Sequence, residues 1–232
     1  MDKRIKYYLV VDVETANILE NPLVYDIGGV VTDKQGRIYE NFSFVIRDVF
    51  VGEKELMESA YYAEKIPEYW RDLWANNRKM VSFMDCYFFI RRLMKEYGIT
   101  TVCAYNAHFD RLALDTTIRW ITKSEKRFFF PFNTEFICIW NMATQTICKQ
   151  KSYAVFCEEN SFFSNRGRNY STSAETVFRY LNREPEYKEE HKGYDDVLIE
   201  TEIFVMCWRQ HKSFPYGKGI RRNCWQDVKR EA

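Results

Sequence analysis

The chain is poor in the residues that mark unfolded or repetitive proteins. Its 232 residues include only 5 prolines and 9 glycines, too few for collagen-like repeats or flexible linkers. In contrast, 46% of the residues are hydrophobic and 17% are aromatic, so the chain can bury a substantial core. The length exceeds that of one typical domain but falls short of two large ones, and we expect a single domain with insertions.

Long apolar runs and paired cysteines are also lacking. The early apolar run at residues 7–11 ends at Asp12, so it is too short for a signal peptide or a membrane span. The seven cysteines form no CxxC pair, which gives no zinc signature and favours reduced thiols. These absences predict a cytoplasmic protein with no membrane partner.

The chain has almost no net charge. Lys and Arg number 34 against 33 Asp and Glu, a formal charge of +1, which argues against a protein that coats nucleic acid through a general positive field. The charge is distributed unevenly along the chain, because residues 209–232 hold seven basic and two acidic residues. We therefore divide the chain into a domain at residues 1–211 and a basic tail at residues 212–232. The tail is interpreted as a solvated chain end, with a phosphate contact as the alternative.

Hydrophobic periodicity predicts alternating strands and helices. The predicted strands lie at residues 7–13, 23–32, 37–46, 100–105 and 136–139, and the predicted helices at 83–97, 109–123, 141–146, 173–182 and 197–208. Such alternation is typical of an α/β fold with layered sheet and helices. Residues 149–170 lose periodicity and mix basic with aromatic residues, which predicts a long loop or lid.

Two acidic residues interrupt the first predicted strand. Asp12 and Glu14 lie two residues apart, so the alternation of a strand places both carboxylates on one face. Adjacent carboxylates repel each other unless a cation lies between them, and hard oxygen ligands suit a divalent ion. The pattern also arises by chance, and an exposed strand end or a salt bridge would explain it equally well.

Two further polar clusters lie where predicted helices begin. Asn106 suits a helix N-cap, and Asp110 falls in the first turns of that helix, at the sheet edge where α/β folds place ligands. Asp110 would alternatively stabilise the helix N-terminus electrostatically. In the last cluster His191 lies five residues before Asp196, and among the three histidines it alone has an aspartate at this spacing at a helix entry.

Together these residues resemble the DEDD family of 3′→5′ exonucleases, in the ribonuclease H-like superfamily. The three motifs read Asp12-Val13-Glu14-Thr15, Asn106-x-x-Phe109-Asp110 and His191-x-x-x-x-Asp196. The resemblance spans about residues 7–208 and implies a mixed central sheet flanked by helices. Lys192 stands four residues before Asp196, where the tyrosine subclass has its tyrosine. The chain is therefore more similar to the histidine subclass, which includes proofreading exonucleases, oligoribonuclease and ribonuclease T.

The resemblance implies hydrolysis of single-stranded DNA or RNA from the 3′ end to nucleoside 5′-monophosphates. Two divalent cations, Mg²⁺ or Mn²⁺, would clamp the attacking and leaving oxygens. The metal ligands that it implies are Asp12, Glu14, Asp110 and Asp196. His191 would act as the general base. The substrate contacts that it implies are Thr15, Ala16, Asn106 and Phe109.

The chain departs from the family at two places. Gly193 stands where alanine is common, and Ala16 and Asn17 follow Thr15 where many relatives have a bulkier wedge against the terminal base. Ile18 or Leu19 is a candidate substitute for that wedge.

Outside the motifs, mixed basic and aromatic side chains in residues 149–170 are candidate contacts for a single strand. They are Lys149, Lys151, Phe162, Phe163, Arg166, Arg168 and Tyr170. The aromatic residues at 128–132 are predicted to pack in the core. Two alternative functions stay open: a catalytically weak nucleic-acid-binding or scaffolding module of the same fold, and a hydrolase restricted to very short oligonucleotides.

Overall fold

A six-stranded mixed sheet is the framework of the molecule. The computed structural model describes residues 2, 4–210 and 228–230. The strands of the sheet are β1 (Tyr8–Ala16), β2 (Leu23–Thr32), β3 (Ile38–Ile46), β4 (Lys79–Val81), β5 (Thr101–Ala104) and β6 (Glu135–Cys138). Their spatial order is β4-β3-β2-β1-β5-β6. Strand β2 is antiparallel to both of its neighbours and the other adjacent pairs are parallel, which confirms the predicted mixed central sheet.

Helices flank this sheet, as predicted. The helices in the described part of the chain are α1 (Arg47–Phe50), α2 (Lys54–Glu58), α3 (Ile66–Trp74), α4 (Phe83–Tyr97), α5 (Ala107–Ile121), α6 (Ile139–Gln145), α7 (Lys151–Asn160), α8 (Ala174–Asn182) and α9 (Gly193–Arg209). A two-stranded hairpin, β7 (Phe163–Ser164) and β8 (Asn169–Tyr170), lies between α7 and α8.

Alternating residues of β1 contribute to two cores, one on each face of the sheet. Leu9, Val11 and Val13 pack in a core that includes residues of α4 and α5, whereas Tyr8 and Val10 pack in a core that includes residues of α6 to α9. Because β1 is covered on both faces, a charged residue within it requires a compensating partner.

Local sequence signals account for the ends of several helices. Ser82 precedes α4 and its hydroxyl accepts a hydrogen bond from the backbone N–H of Asp85 at 3.1 Å, a standard N-cap contact. Gly98, with φ of 62°, ends the same helix in the left-handed conformation. Ser173 caps α8 in the same way as Ser82 caps α4. The predicted helix at 83–97 is therefore confirmed with its boundaries.

The prediction of a long loop at residues 149–170 is wrong. Ten of these residues form α7, and the β7–β8 hairpin follows it. Only Tyr153 and Cys157 of α7 are fully buried, so the helix has little apolar periodicity for a sequence pattern to reveal. The Tyr153 hydroxyl donates a hydrogen bond to the carbonyl of Ser171 at 2.7 Å, which ties α7 to the segment before α8.

The aromatic residues at 128–132 divide between core and surface. Phe129 and Phe130 are buried as predicted, but Phe128 and Phe132 are 53% and 94% exposed. The six cysteines in the described part of the chain are buried and form no disulfide.

The predicted domain boundary and most of the basic tail lie outside the described residues. Within residues 228–230, Lys229 forms an antiparallel β-bridge with Asn169 of β8. Nε of Arg230 forms a salt bridge with Oε1 of Glu158 at 2.6 Å. Across the ranges that the structure does describe, no helix has the length and apolar character needed to cross a membrane. The cytoplasmic location stays a prediction.

Candidate active site

The three motifs meet at the carboxyl end of β1. Their carboxylates belong to Asp12 and Glu14 in β1, Asp110 in the first turn of α5 and Asp196 in the first turn of α9. Strands β1 and β5 are parallel, with Val10 level with Cys103, so the helix that follows β5 begins beside Asp12. This is the sheet edge at which α/β folds place their ligands.

Two glycines bring α9 close to the sheet. Gly28 lies opposite Asp12 in β2, and a Cβ atom added to it would lie 2.2 Å from the backbone nitrogen of Tyr194. A Cβ atom on Gly193 would lie 2.8 Å from the backbone nitrogen of Gly28. The close approach therefore requires glycine at position 193 in this chain. The approach places the first turn of α9, with Asp196, beside β1.

A buried ion pair also holds the start of α9. Nη1 of Arg78 donates hydrogen bonds at 2.9 Å to both carboxylate oxygens of Asp26, which is fully buried in β2. The backbone N–H of Gly193 donates to Asp26 at 2.9 Å, and Nη2 of Arg78 donates to Asp195 at 2.9 Å. These bonds tie β2 to the helix turn that carries Asp196.

The ligand atoms of Asp12, Glu14 and Asp196 all lie within 4.8 Å of one another. Asp196 is 8% exposed, and among the described residues its Oδ1 atom has no hydrogen-bond partner. A buried carboxylate oxygen without a donor is costly. Three carboxylates offer only hard oxygen ligands, which suit Mg²⁺, Mn²⁺ or Ca²⁺ rather than a soft metal. The residues present therefore fit a divalent cation.

Burial raises the pKa of every motif carboxylate. The pKa of Glu14 rises to about 9, through burial first and repulsion from Asp26 second. Burial raises the pKa of Asp110 to about 8 and that of Asp196 to about 7. Burial also raises the pKa of Asp12, and the surrounding carboxylates add to it. Such a group of acids cannot all ionise at neutral pH unless a cation compensates their charge.

Glu200 also faces this cluster, although the sequence analysis did not identify it. It is 3% exposed and lines the same cavity as Asp12. It lies one helical turn after Asp196, and its Oε2 atom accepts a hydrogen bond from the backbone N–H of Tyr105 at 3.1 Å. The i,i+4 spacing places Glu200 on the same face of α9 as Asp196.

His191 lies at the cavity wall with its ring stacked on Tyr62. The ring centroids are 4.6 Å apart and the planes differ by 13°. Nδ1 of His191 lies 3.9 Å from Oε2 of Glu189. Burial, and then the positive charge of Lys65, lower the pKa of His191, so the imidazole is neutral at pH 7 and able to accept a proton. Nothing in the sequence linked Tyr62 to His191, because 128 residues separate them along the chain.

A cavity of about 670 Å³ is lined by three of the four motif carboxylates, Asp12, Glu14 and Asp196, whereas Asp110 is not among its lining residues. Beyond the acids and His191, its walls are aromatic and rich in hydroxyl groups. The aromatic and hydroxyl residues are Tyr62, Tyr105, Trp140, Ser164, Ser171, Thr172 and Ser173. Tyr105 and Trp140 are stacked at 6.5 Å, and Nε1 of Trp140 donates to the hydroxyl of Thr172 at 2.8 Å. These contacts hold the aromatic wall in place.

Only one of the four predicted substrate contacts lines this cavity. Asn106 lines the cavity. It occupies the N-cap position of α5, as predicted, but in the left-handed conformation, with φ of 89°, its side chain makes no capping hydrogen bond. Thr15 and Ala16 end β1, with Ala16 fully buried, and Phe109 packs against the core. These three are not among the cavity residues. Ile18 and Leu19 are 59% and 72% exposed.

Two nucleases are among the proteins whose solved structures share this fold. Exonuclease I of E. coli, in complex with a 5cy-dT13 oligonucleotide, is 12% identical with a TM-score of 0.51, and the match covers 89% of this chain and 41% of that one. Cell-death related nuclease 4 (CRN-4) is also 12% identical with a TM-score of 0.51, over 88% of this chain and 64% of that one. The chain thus spans less than two thirds of the length of either protein.

These likenesses confirm the fold class predicted from the motifs. The fold is the one found in exonuclease I and in cell-death related nuclease 4. No protein-family model matches the sequence, and no curated protein matches it.

Proposed function

We propose that the chain is a divalent-metal-dependent nuclease that removes nucleotides from the 3′ end of single-stranded DNA or RNA. The observation that carries this proposal is the meeting of Asp12, Glu14, Asp196 and His191 in one cavity, with the buried Oδ1 atom of Asp196 lacking a hydrogen-bond partner among the described residues. Asp110, in the first turn of α5, lies outside the lining of that cavity. The same fold in exonuclease I, whose structure contains a dT13 oligonucleotide, supports a single-stranded substrate.

The four motif carboxylates would hold two divalent cations, Mg²⁺ or Mn²⁺. When bound, such ions lower the pKa of a coordinated water and neutralise charge that develops on the phosphate. Asp12 is central to this arrangement, since the ligand atoms of Glu14 and Asp196 lie within 4.8 Å of its own. The motif acids thus act by binding cations at one place, rather than as proton donors.

His191 acts as the general base toward the attacking water. Its lowered pKa keeps the imidazole neutral at pH 7, which is the form that accepts a proton. The Tyr62 ring limits rotation of the imidazole, and the Glu189 carboxylate at 3.9 Å from Nδ1 would stabilise the imidazolium that forms. Attack at the 3′-terminal phosphodiester then leaves a nucleoside 5′-monophosphate as product.

The surroundings of position 192 support the histidine subclass. Nζ of Lys192 lies 3.1 Å from Glu68 and 3.1 Å from Asp72, both in α3. The side chain at the position where the tyrosine subclass has its catalytic residue is therefore engaged in ion pairs with α3. His191 is left as the base of this site.

The walls of the cavity support sequence-independent binding of a strand end. Bases stack on aromatic side chains whatever their identity, and the stacked pair Tyr105 and Trp140 offers such a surface. A cavity of about 670 Å³ is in the range of sites for small molecules, which also favours the second candidate, a hydrolase restricted to very short oligonucleotides. All four acidic ligands are present, which disfavours a binding module without turnover.

A panel of labelled strands tests the proposal. Single-stranded DNA and RNA of equal sequence, labelled at the 3′ or the 5′ end and of several lengths, are incubated with Mg²⁺, Mn²⁺ or chelator. We expect metal-dependent loss of the 3′ label first, and none with the His191→Ala variant. Equal rates on long and very short strands support the general exonuclease, while hydrolysis of only the shortest supports the second candidate. Absence of release from every strand contradicts both.

A further inference from the structure

The cavity has an imbalance of charge for a site that binds a nucleic-acid strand. Of the described residues that line it, five are acids, one is a histidine, and none is a lysine or an arginine. Proteins bind the phosphates of single strands largely through lysine and arginine. The motif acids would hold cations only at the phosphate under attack. The phosphates further along a bound strand therefore need positive charge at the rim of the cavity.

The part of the rim that leads to His191 is acidic. Residues 183–190 contain four glutamates against one arginine and one lysine, and three of these glutamates are exposed. Lys65 does not line the cavity, and its ammonium group donates a hydrogen bond to the carbonyl of Glu190. A phosphate backbone would be repelled by the net negative charge of this segment.

The β7–β8 hairpin forms another part of the rim, and a third chain segment extends it. Ser164 of β7 lines the cavity. Lys229 forms an antiparallel bridge with Asn169 of β8, and two backbone hydrogen bonds of 3.2 and 3.1 Å flank this bridge. Residues 228–230 therefore lie beside β8 as a short third strand. We refer to β7, β8 and residues 228–230 together as the ribbon.

Side-chain contacts fix the third strand against the rest of the molecule. Val228 is buried and packs in the core that includes residues of α6 to α9. Nε and Nη2 of Arg230 donate to the two carboxylate oxygens of Glu158 at 2.6 and 2.7 Å. The guanidinium of Arg230 also lies 4.3 Å from the centroid of the Phe163 ring. Because the residues on both sides of Lys229 are anchored, its backbone is held beside β8.

The register of the ribbon places Lys229 on the face that includes Ser164. Ser164 is paired with Asn169, and Asn169 is paired with Lys229. Residues directly opposite each other in antiparallel strands direct their side chains to the same face, so these three form one row. The row begins at Ser164 in the cavity wall and ends at Lys229, which is exposed. Cα atoms of opposite residues lie about 4.5–5.5 Å apart, which places Lys229 about 10 Å from Ser164.

We propose that Lys229 binds a backbone phosphate of the single strand upstream of its 3′ end, so that the strand leaves the cavity along the ribbon. Within the parts of the chain that the structure describes, no acid forms an ion pair with Lys229, whereas Arg230 is paired with Glu158. Nucleotides of a stacked strand rise about 3.4 Å each, so the distance of about 10 Å corresponds to about three nucleotides. The inference rests on the proposed function and deepens it, because it gives the site a preference for strands longer than a dinucleotide.

Fluorescence anisotropy of a 5′-labelled single-stranded DNA of sixteen nucleotides tests this contact in the full chain, with chelator present to prevent hydrolysis. Lys229→Gln removes the charge and keeps most of the side chain, and Lys229→Glu reverses the charge. Lys95→Gln is the matched control, since Lys95 is exposed near the end of α4 and does not line the cavity. We expect the affinity to fall in Lys229→Gln and further in Lys229→Glu, and to stay at the wild-type level in Lys95→Gln.

The salt dependence of binding identifies a phosphate contact. Each phosphate contact to a single strand contributes about −0.7 to the slope of log affinity against log salt concentration. Lys229→Gln should therefore make this slope shallower by about 0.7. The ratio of the affinity for the sixteen-nucleotide strand to that for a dinucleotide, measured by competition, should also fall in the Lys229 variants. A loss of folded protein would lower both affinities equally and leave the ratio unchanged.

The outcomes separate this inference from the proposed function. Wild-type affinity and salt slope in Lys229→Gln overturn the inference, as does an equal loss in Lys95→Gln or a wild-type chain that does not bind the sixteen-nucleotide strand. If 3′ nucleotides are released with Mg²⁺ or Mn²⁺ but Lys229→Gln binds the strand as the wild type does, the inference fails while the proposed function stands. If the Lys229 variants lose binding as expected but no strand is hydrolysed, the proposed function fails while the phosphate contact stands.

Discussion

The close approach of α9 to β2 makes a sharp prediction about Gly28. In Gly28→Ala the new Cβ atom would lie 2.2 Å from the backbone nitrogen of Tyr194, whereas ordinary contact begins at 3.4 Å. Backbone atoms on both sides cannot rotate away, so the start of α9 must move by about 1 Å. Overpacking of this kind costs about 1–3 kcal/mol of the free energy of unfolding, and a shift of about 1 Å in a catalytic group lowers turnover by about 100-fold.

Gly29→Ala is the control for this prediction. Its Cβ atom would lie 2.2 Å from the Phe42 ring, which packs in the core that includes α4 and α5, away from α9. Urea unfolding should show lower stability for both variants. Hydrolysis per folded molecule and Mn²⁺ affinity should fall only in Gly28→Ala. If Gly28→Ala keeps wild-type turnover, or if both variants lose it equally, the position of α9 against Gly28 does not control the placement of Asp196.

Two further predictions concern the base and the acids. Tyr62→Leu should lower kcat about tenfold with little change in KM, which is part of the about 10²–10⁴-fold that a general base contributes. Tyr62→Phe keeps the stacked ring and should keep most of the rate, and equal losses in the Phe and Leu variants would exclude stacking as the cause. Phe132→Leu, at a position that is 94% exposed and outside the cavity lining, is the control. The pKa values of Glu14, Asp110 and Asp196 are raised to about 9, 8 and 7 from 4.5, 3.8 and 3.8, so their stabilising contribution is full at low pH and is lost as the pH rises through these values. The unfolded chain releases these protons near pH 4 and the folded chain only at about pH 7 to 9, so the Tm of the metal-free chain should fall between about pH 4 and pH 9. Saturating Mg²⁺ should remove most of the fall, and a metal-free Tm that stays level would contradict the raised pKa values.

The fold and the motif acids were accessible from the sequence because their signals are local. Alternation along β1 places Asp12 and Glu14 on one face, and helix entries bring Asp110 and Asp196 to the same sheet edge. The residues alone did not exclude an exposed strand end or a salt bridge as the reason for Asp12 and Glu14. The resemblance to the DEDD exonucleases then indicated a shared role in metal binding. The predicted α/β fold with its mixed central sheet is confirmed by the structural likenesses, while the residue roles are proposals.

Features that depend on contacts between residues far apart in the sequence could not be predicted from it. The stack of Tyr62 on His191 and the bond from Arg78 to Asp26 join parts of the chain that are far apart in sequence. Glu200 lies in a helix that is buried over most of its surface, so the sequence pattern showed no separate polar face that would mark Glu200 as a site residue. Helix α7 buries only two residues fully, and a helix with so small a buried face carries little periodic signal.

The chemistry of the products is the most direct test of the central claim. A single-stranded oligonucleotide with a 5′ label is incubated with Mg²⁺ or Mn²⁺, and both the shortened strands and the released nucleotides are identified over time. The account predicts strands that shorten one nucleotide at a time, release of nucleoside 5′-monophosphates, and loss of both in a folded Asp196→Asn variant. Release of the 5′ label in the first product, nucleoside 3′-monophosphates, or wild-type turnover by Asp196→Asn would contradict it.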